Sequence, residues 1–150
     1  MLLLIVKYVH VLAAIVAVGV NVSYSVWIVR ARTDPAHTAF TLKGIKFLDD
    51  RIANPAYGLL LITGLWMVFL GRYSLFTLWI DVALVLYAVL AVVAITQYTP
   101  TLRQQIRLAE AGDTTSAEFQ RLAARSQALG AALGVIVLVI LAMMVFRPTL

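Results

Sequence analysis

The chain has no cysteine among its 150 residues. That excludes a disulfide framework, a thiolate metal site and a cysteine nucleophile. Charge is scarce too. Asp, Glu, Lys and Arg make up 13% of the chain, and 63% is hydrophobic. A soluble domain is closer to half apolar and a quarter charged. A Gly-rich phosphate loop, a Ser-His-Asp arrangement and zinc-ligand spacing are all missing, which argues against soluble-type hydrolysis and nucleotide chemistry. No low-complexity tract, soluble domain or clear internal repeat stands out. What remains is apolar runs. Mean hydropathy is +0.96, the composition of an integral membrane protein. The length suits a single domain over residues 1–150.

A bilayer core takes roughly 20 apolar residues as helix. Four stretches qualify, at about 2–29, 52–70, 75–98 and 129–146. Unpaired backbone groups are not tolerated in lipid, so each should be a helix. The first run is long for a signal-peptide core, has no basic segment before it, and reads as a retained helix. The fold class expected is all-α: a four-helix up-down transmembrane bundle with a cytoplasmic helical extension.

The net charge of +5 points to orientation, not to nucleic acid. Arg30, Arg32, Lys43, Lys46 and Arg51 follow the first span, and Arg103, Arg107, Arg121 and Arg125 follow the third. The opposite side has only Lys7, Arg72 and Arg147. The positive-inside rule then places both long connections in the cytoplasm and both termini outside. The four later arginines should face solvent and anionic lipid heads.

The connections carry helix signals. Asp34-Pro35 reads as an N-cap with Pro at the first helical position. A short amphipathic helix with Phe40, Phe47 and Leu48 should follow, with Pro55 kinking or breaking its join to the second span. Pro100 marks a kink below the third span. Leu102 to Ala111 forms an amphipathic stretch ended by Gly112-Asp113. Thr115-Ser116-Ala117-Glu118 reads as a capping box that opens a helix running into the fourth span. Trp27, Trp66 and Trp79, with Tyr8, Tyr73 and Tyr98, read as an interfacial aromatic belt.

Lys7, His10, Ala14, Ala17, Asn21 and Tyr24 follow a three-four spacing. They form one small and polar stripe, which should face the bundle. Matching seams are Asn54, Tyr57, Leu61, Gly64 and Met67 on the second helix, and Asp81, Ala88, Ala91 and Ile95 on the third. Gly130 and Gly134 make a GxxxG pattern on the fourth, which close packing within one chain explains most simply. Asn21, Ser25, Asn54 and Tyr57 should form a hydrogen-bond cluster near the inner side. With alternating direction, Lys7, His10, Met67, Asp81, Met143 and Met144 fall at one level near the outer side. Ionisable groups within spans tend to pair and to mark function. A polar network of Lys7, His10 and Asp81 is the expectation, with Asp81 paired to Lys7 or His10.

Several pieces resemble a known family: K-x-x-H-V-L-A-A in the first helix, N-P-A-Y-G-L-L-L-I-T-G-L-W-M in the second, S-L-F-T-L-W-I in the third, and the closing M-V-F-R-P. Across nearly the whole chain they look like the bacterial integral membrane family called domain of unknown function 2269. That resemblance implies a four-helix bundle in a bacterial inner membrane and brings no activity with it. The first helix is more distantly similar to HemJ-type and CopD-like membrane proteins. The HemJ type carries an early membrane histidine linked to haem b, and His10, with Lys7 beside it, is the position that matches.

Function therefore stays open between two classes. One is a binding or redox module holding haem b through His10, with Met67, Met143 or Met144 as a second axial group. His37 is not a candidate ligand, because it lies in a connection. The other is a non-enzymatic membrane subunit whose Lys7, His10 and Asp81 cluster only fixes packing. Copper(I) held by imidazole and thioether, and ion movement along the polar groups, are further chemistries of the same residues. The lipid bilayer is the partner expected in every case, and a homo-oligomer or membrane complex is left open.

Overall fold

The computed structural model describes residues 1–71, 73–74 and 77–148. Arg72, counted above for orientation, and Leu75, the expected start of the third span, lie outside the described residues. The helices are α1 (Leu2–Thr33), α2 (Thr38–Leu48), α3 (Asn54–Leu70), α4 (Leu78–Val93), α5 (Thr99–Glu110) and α6 (Ala117–Phe146). They assemble into four rods, because α2 runs into α3 and α5 continues α4. All four rods are long and apolar enough to cross a membrane. The helical extension is thus made by the ends of these rods, and no separate fifth rod exists among the described residues.

Two prolines stand in these rods, with a kink or break expected at Pro55 and a kink at Pro100. Each lacks the N–H that would bond the carbonyl four residues back. The chain instead makes one π-helical turn before each, at Asp49–Ala53 and Ala94–Tyr98. Asn54 N–H bonds the Asp49 carbonyl, and Thr99 N–H bonds the Ala94 carbonyl, five residues back in both cases. The wider turn lets the helix pass Pro55 and Pro100 without a break.

The rods hold 30 to 36 residues. At about 1.5 Å per residue they reach roughly 45–54 Å, well beyond a hydrocarbon core of about 30 Å. The surplus lies at one end. There α2, α5, the last turns of α1 and the first turns of α6 bury Tyr24, Leu42, Ile45, Leu102, Ala109 and Phe119 together. This extension holds the main apolar core. By contrast, the most apolar stretch of α6 has no buried residue. Side chains facing lipid need no burial inside the protein, so the exposed Val135, Leu138 and Val145 are expected there. Phe40 and Phe47 are also exposed; the buried side of α2 is Thr38, Leu42 and Ile45.

The turn between α5 and α6 is fixed by its backbone. Asp113 N–H bonds the Leu108 carbonyl and Gly112 N–H bonds that of Ala109, with Gly112 at φ +80°. This is a Schellman ending, and glycine adopts that φ without strain. The α6 cap sits one residue later than the capping box implied. Ser116 Oγ accepts from Phe119 N–H (3.1 Å), while Ser116 N–H donates to Asp113 Oδ1 (3.0 Å). Asp113 takes the role expected of Glu118, so Thr115 is displaced from the cap. Asp34 stands before Pro35 as expected, but its carboxylate pairs with His37 Nδ1 (2.7 Å) instead of a backbone N–H.

Leu102→Ala, which empties a site only 2% exposed, is expected to cost about 2–4 kcal/mol. Leu138→Ala on the outer face of α6 should stay within about 0.5 kcal/mol. Unfolding in mixed micelles compares the two.

Candidate functional site

In their apolar halves the rods associate as two pairs. α1 packs along α3 and α4 along α6, and the backbones of the two pairs do not approach closely there among the described residues. Tyr87 Oη bridges the pairs by donating to the Tyr57 carbonyl (2.9 Å). His10 lies on the α1–α3 seam, half-buried. Its Nδ1 is 2.8 Å from Thr63 Oγ1. The Thr63 hydroxyl donates back to the Leu59 carbonyl (2.6 Å), so its oxygen is left to accept from an Nδ1–H. The Leu60 carbonyl also faces the ring. The Thr63 acceptor favours the tautomer with its proton on Nδ1 and a lone pair on Nε2.

Gly64 makes room for the ring. A Cβ built there would stand 3.3 Å from His10 Cε1, tighter than ordinary contact. The T-G pair at 63–64 therefore supplies both the hydrogen bond and the flat wall for one imidazole. Met67 follows one turn along from Thr63 and is half-buried on the same helix. Met143 and Met144 are half-buried on α6, whose apolar half packs along α4.

The expected network of Lys7, His10 and Asp81 is not assembled here. Lys7 and Asp81 are exposed, and neither takes part in an ion pair among the described residues. His10 bonds Thr63 instead. The physical reason is where α4 begins. It starts at Leu78, so Asp81 occupies the first turn and not the middle of a span. The positive end of the helix dipole favours a carboxylate there, and no buried partner is required. Lys7 is a long side chain near a helix end and can reach the interface. His37 pairs with Asp34 far from His10 along the chain.

A second polar layer lies where the apolar halves meet the extension. Asn21 Nδ2 donates to Tyr57 Oη (3.1 Å) and to the Ala17 carbonyl (2.8 Å), which joins two members of the expected cluster. Asn54 and Ser25 are exposed, and Ser25 donates only to the Val22 carbonyl of its own helix. Asp49 is a member of this layer that no sequence motif marks. The π turn puts it inside, 9% exposed. Burial pushes its carboxyl above the ordinary carboxylate range, and the nearby Lys46 charge pulls the other way. Tyr98 belongs to this layer and not to an aromatic belt, since it packs against the core. At the far end, Tyr73 meets Trp79 edge-on (5.9 Å) and the Arg147 guanidinium lies over Trp79 (5.4 Å).

Four apolar rods, buried polar hydrogen bonds within them and a lipid-suited outer surface define a polytopic membrane protein. Residues 4–148 match the family described as "Predicted integral membrane protein (DUF2269)". The chain belongs to that family. Comparison with curated proteins and with solved structures gives no match.

Thr63→Val removes the acceptor for His10 Nδ1 while keeping the shape. It should cost about 1 kcal/mol and redistribute the imidazole tautomers in nitrogen NMR spectra. Thr63→Ser should do neither.

Proposed function

We propose that this chain is a membrane-embedded haem b module with His10 as axial ligand. The observation that carries the reading is the chain of hydrogen bonds from His10 Nδ1 through Thr63 Oγ1 to the Leu59 carbonyl. A metal-binding imidazole typically donates its other N–H to such an acceptor, which leaves Nε2 as the ligand atom. The wall at Gly64 seats the ring on the α1–α3 seam, and bundles build cofactor sites between facing helices. Met67, one turn from Thr63 on α3, or Met143 or Met144 of α6 would supply the second axial group. Bound haem would supply one-electron chemistry. The likeness of the first helix to HemJ-type proteins points the same way.

The same reading places the protein in a bacterial inner membrane. The Arg-rich extension lies in the cytoplasm and both termini lie outside, following the distribution of Lys and Arg. A periplasm-dependent reporter fused after Leu150 should be active, and one placed at Gly112 should be silent.

A second reading is a non-enzymatic membrane subunit. It is favoured by α6, whose apolar stretch is unburied and whose Gly134 faces open space. That surface would suit lipid or a neighbouring copy.

The visible spectrum separates the two. Protein purified in mild detergent after expression with ample haem precursor should show a Soret band that shifts on dithionite reduction. His10→Ala should lose the band while keeping its elution position. Thr63→Val should retain it with roughly 10-fold weaker haem affinity. A colourless, monodisperse sample would favour the subunit reading.

A further inference from the structure

The polar groups at the tip of the first hairpin are not used by the haem reading. α1 ends at Thr33, and the chain reverses into α2 through Asp34 and Pro35–His37. The reversal is braced from within: Asp34 N–H and Thr38 Oγ1 both donate to the Ala31 carbonyl (3.3 and 3.4 Å). Beside it lies a cavity of about 510 Å³, within the size range of small-molecule sites. Trp27 and Phe40 line it together with Arg30, Asp34, His37 and Thr41. The Arg30 guanidinium and the Thr41 hydroxyl make no ion pair or hydrogen bond among the described residues. Arg32, by contrast, is held by Gln127 Oε1 (2.5 Å). The Asp34 carboxylate meets His37 Nδ1 through Oδ2 (2.7 Å), which leaves its Oδ1 open. Depth follows from α1. Lys7 and Trp27 stand twenty residues apart on it, about 30 Å along the axis and the thickness of a hydrocarbon core. Trp27 is thus at the level where amphipathic rings gather. Arg30 lies about 4.5 Å further out, inside a headgroup layer roughly 5–8 Å thick.

We propose that this cavity binds the headgroup of one phospholipid that carries both a phosphodiester and a primary ammonium, phosphatidylethanolamine, in the leaflet on the side of the extension. The cavity presents one free guanidinium and one carboxylate with an open oxygen, so it complements a zwitterion and not a single charge. Arg30 takes the phosphate, because a guanidinium fork matches its oxygens. The Thr41 hydroxyl donates to a remaining phosphate or ester oxygen. The lipid ammonium donates to Asp34 Oδ1. Trp27 and Phe40, both exposed, cover the first carbons of the acyl chains. A purely anionic headgroup would set its charge against Asp34. A quaternary ammonium has no N–H to give to that carboxylate. The site is independent of His10, which lies seventeen residues before Trp27 on α1.

The test is native mass spectrometry of the full chain released from micelles doped with phosphatidylethanolamine, phosphatidylglycerol or phosphatidylcholine of matched acyl chains. Wild type should retain one phosphatidylethanolamine in preference to the other two. The same lipid should raise the thermal midpoint in those micelles saturably by a few degrees. Arg30→Gln should weaken retention roughly 10-fold. Asp34→Asn should level the three lipids. His37→Gln, which leaves the Asp34 carboxylate in place, should keep the preference. Arg30, Asp34 and His37 are all exposed, so the variants should elute as wild type does. Equal retention of phosphatidylcholine, tighter retention of phosphatidylglycerol, or retention unchanged in Arg30→Gln would overturn the proposal. Neither readout depends on haem, so this site and the His10 site fail separately.

Discussion

Everything in this fold depends on one requirement of the bilayer. Water is absent from its core, so each backbone N–H and C=O must find a partner within the chain. Uninterrupted helix is the simplest answer, and the sequence carries two prolines that threaten it. The π turns at Asp49–Ala53 and Ala94–Tyr98 resolve the conflict by moving the hydrogen bond to the fifth residue back. The rods therefore continue past Pro55 and Pro100. Because they continue, they outrun the apolar thickness and meet again as a compact extension. Because the turns are wider, they also rotate Asp49 into the interior and bring Tyr98 to the same layer.

The division of labour along the rods follows from solvent. Within lipid there is little hydrophobic gain from packing helix on helix, so α1 and α3 touch through small residues and a few hydrogen bonds. Outside lipid the usual driving force returns. There Leu42, Ile45, Leu102 and Phe119 are buried, and the Lys43–Glu110 pair (2.8 Å) clasps α2 to α5. The bond from Ser126 Oγ to Gln105 Oε1 (2.8 Å) clasps α5 to α6. The well-packed end thus orders the rods, and His10 sits on the α1–α3 seam at the thinly packed end.

Much of this was legible in the residues. Apolar length marked the four rods, Gly112-Asp113 marked the turn, and the stripe on α1 marked its inward face from His10 to Tyr24. What escaped depended on register and on tertiary placement. An apolar run read from Leu75 embeds Asp81 in the span; the helix begins at Leu78, and Asp81 is instead an exposed carboxylate in its first turn. Nothing in the sequence announces the π turn that buries Asp49. Thr63 was passed over as one more residue in an apolar run. Its pairing with His10 appears only when α1 and α3 are set antiparallel at the right depth. The cap moved from Thr115 to Ser116 because the Asp113 side chain competed for the turn.

The central claim is that the stable core lies outside the apolar halves and is built from the ends of the same four rods. Hydrogen exchange of the protein in nanodiscs, read by mass spectrometry, tests it most directly. Strong protection is expected over residues 38–48, 99–110 and 117–128, comparable to that of the apolar stretches, despite their access to water. Fast exchange across those three segments, with protection confined to the apolar halves, would contradict it.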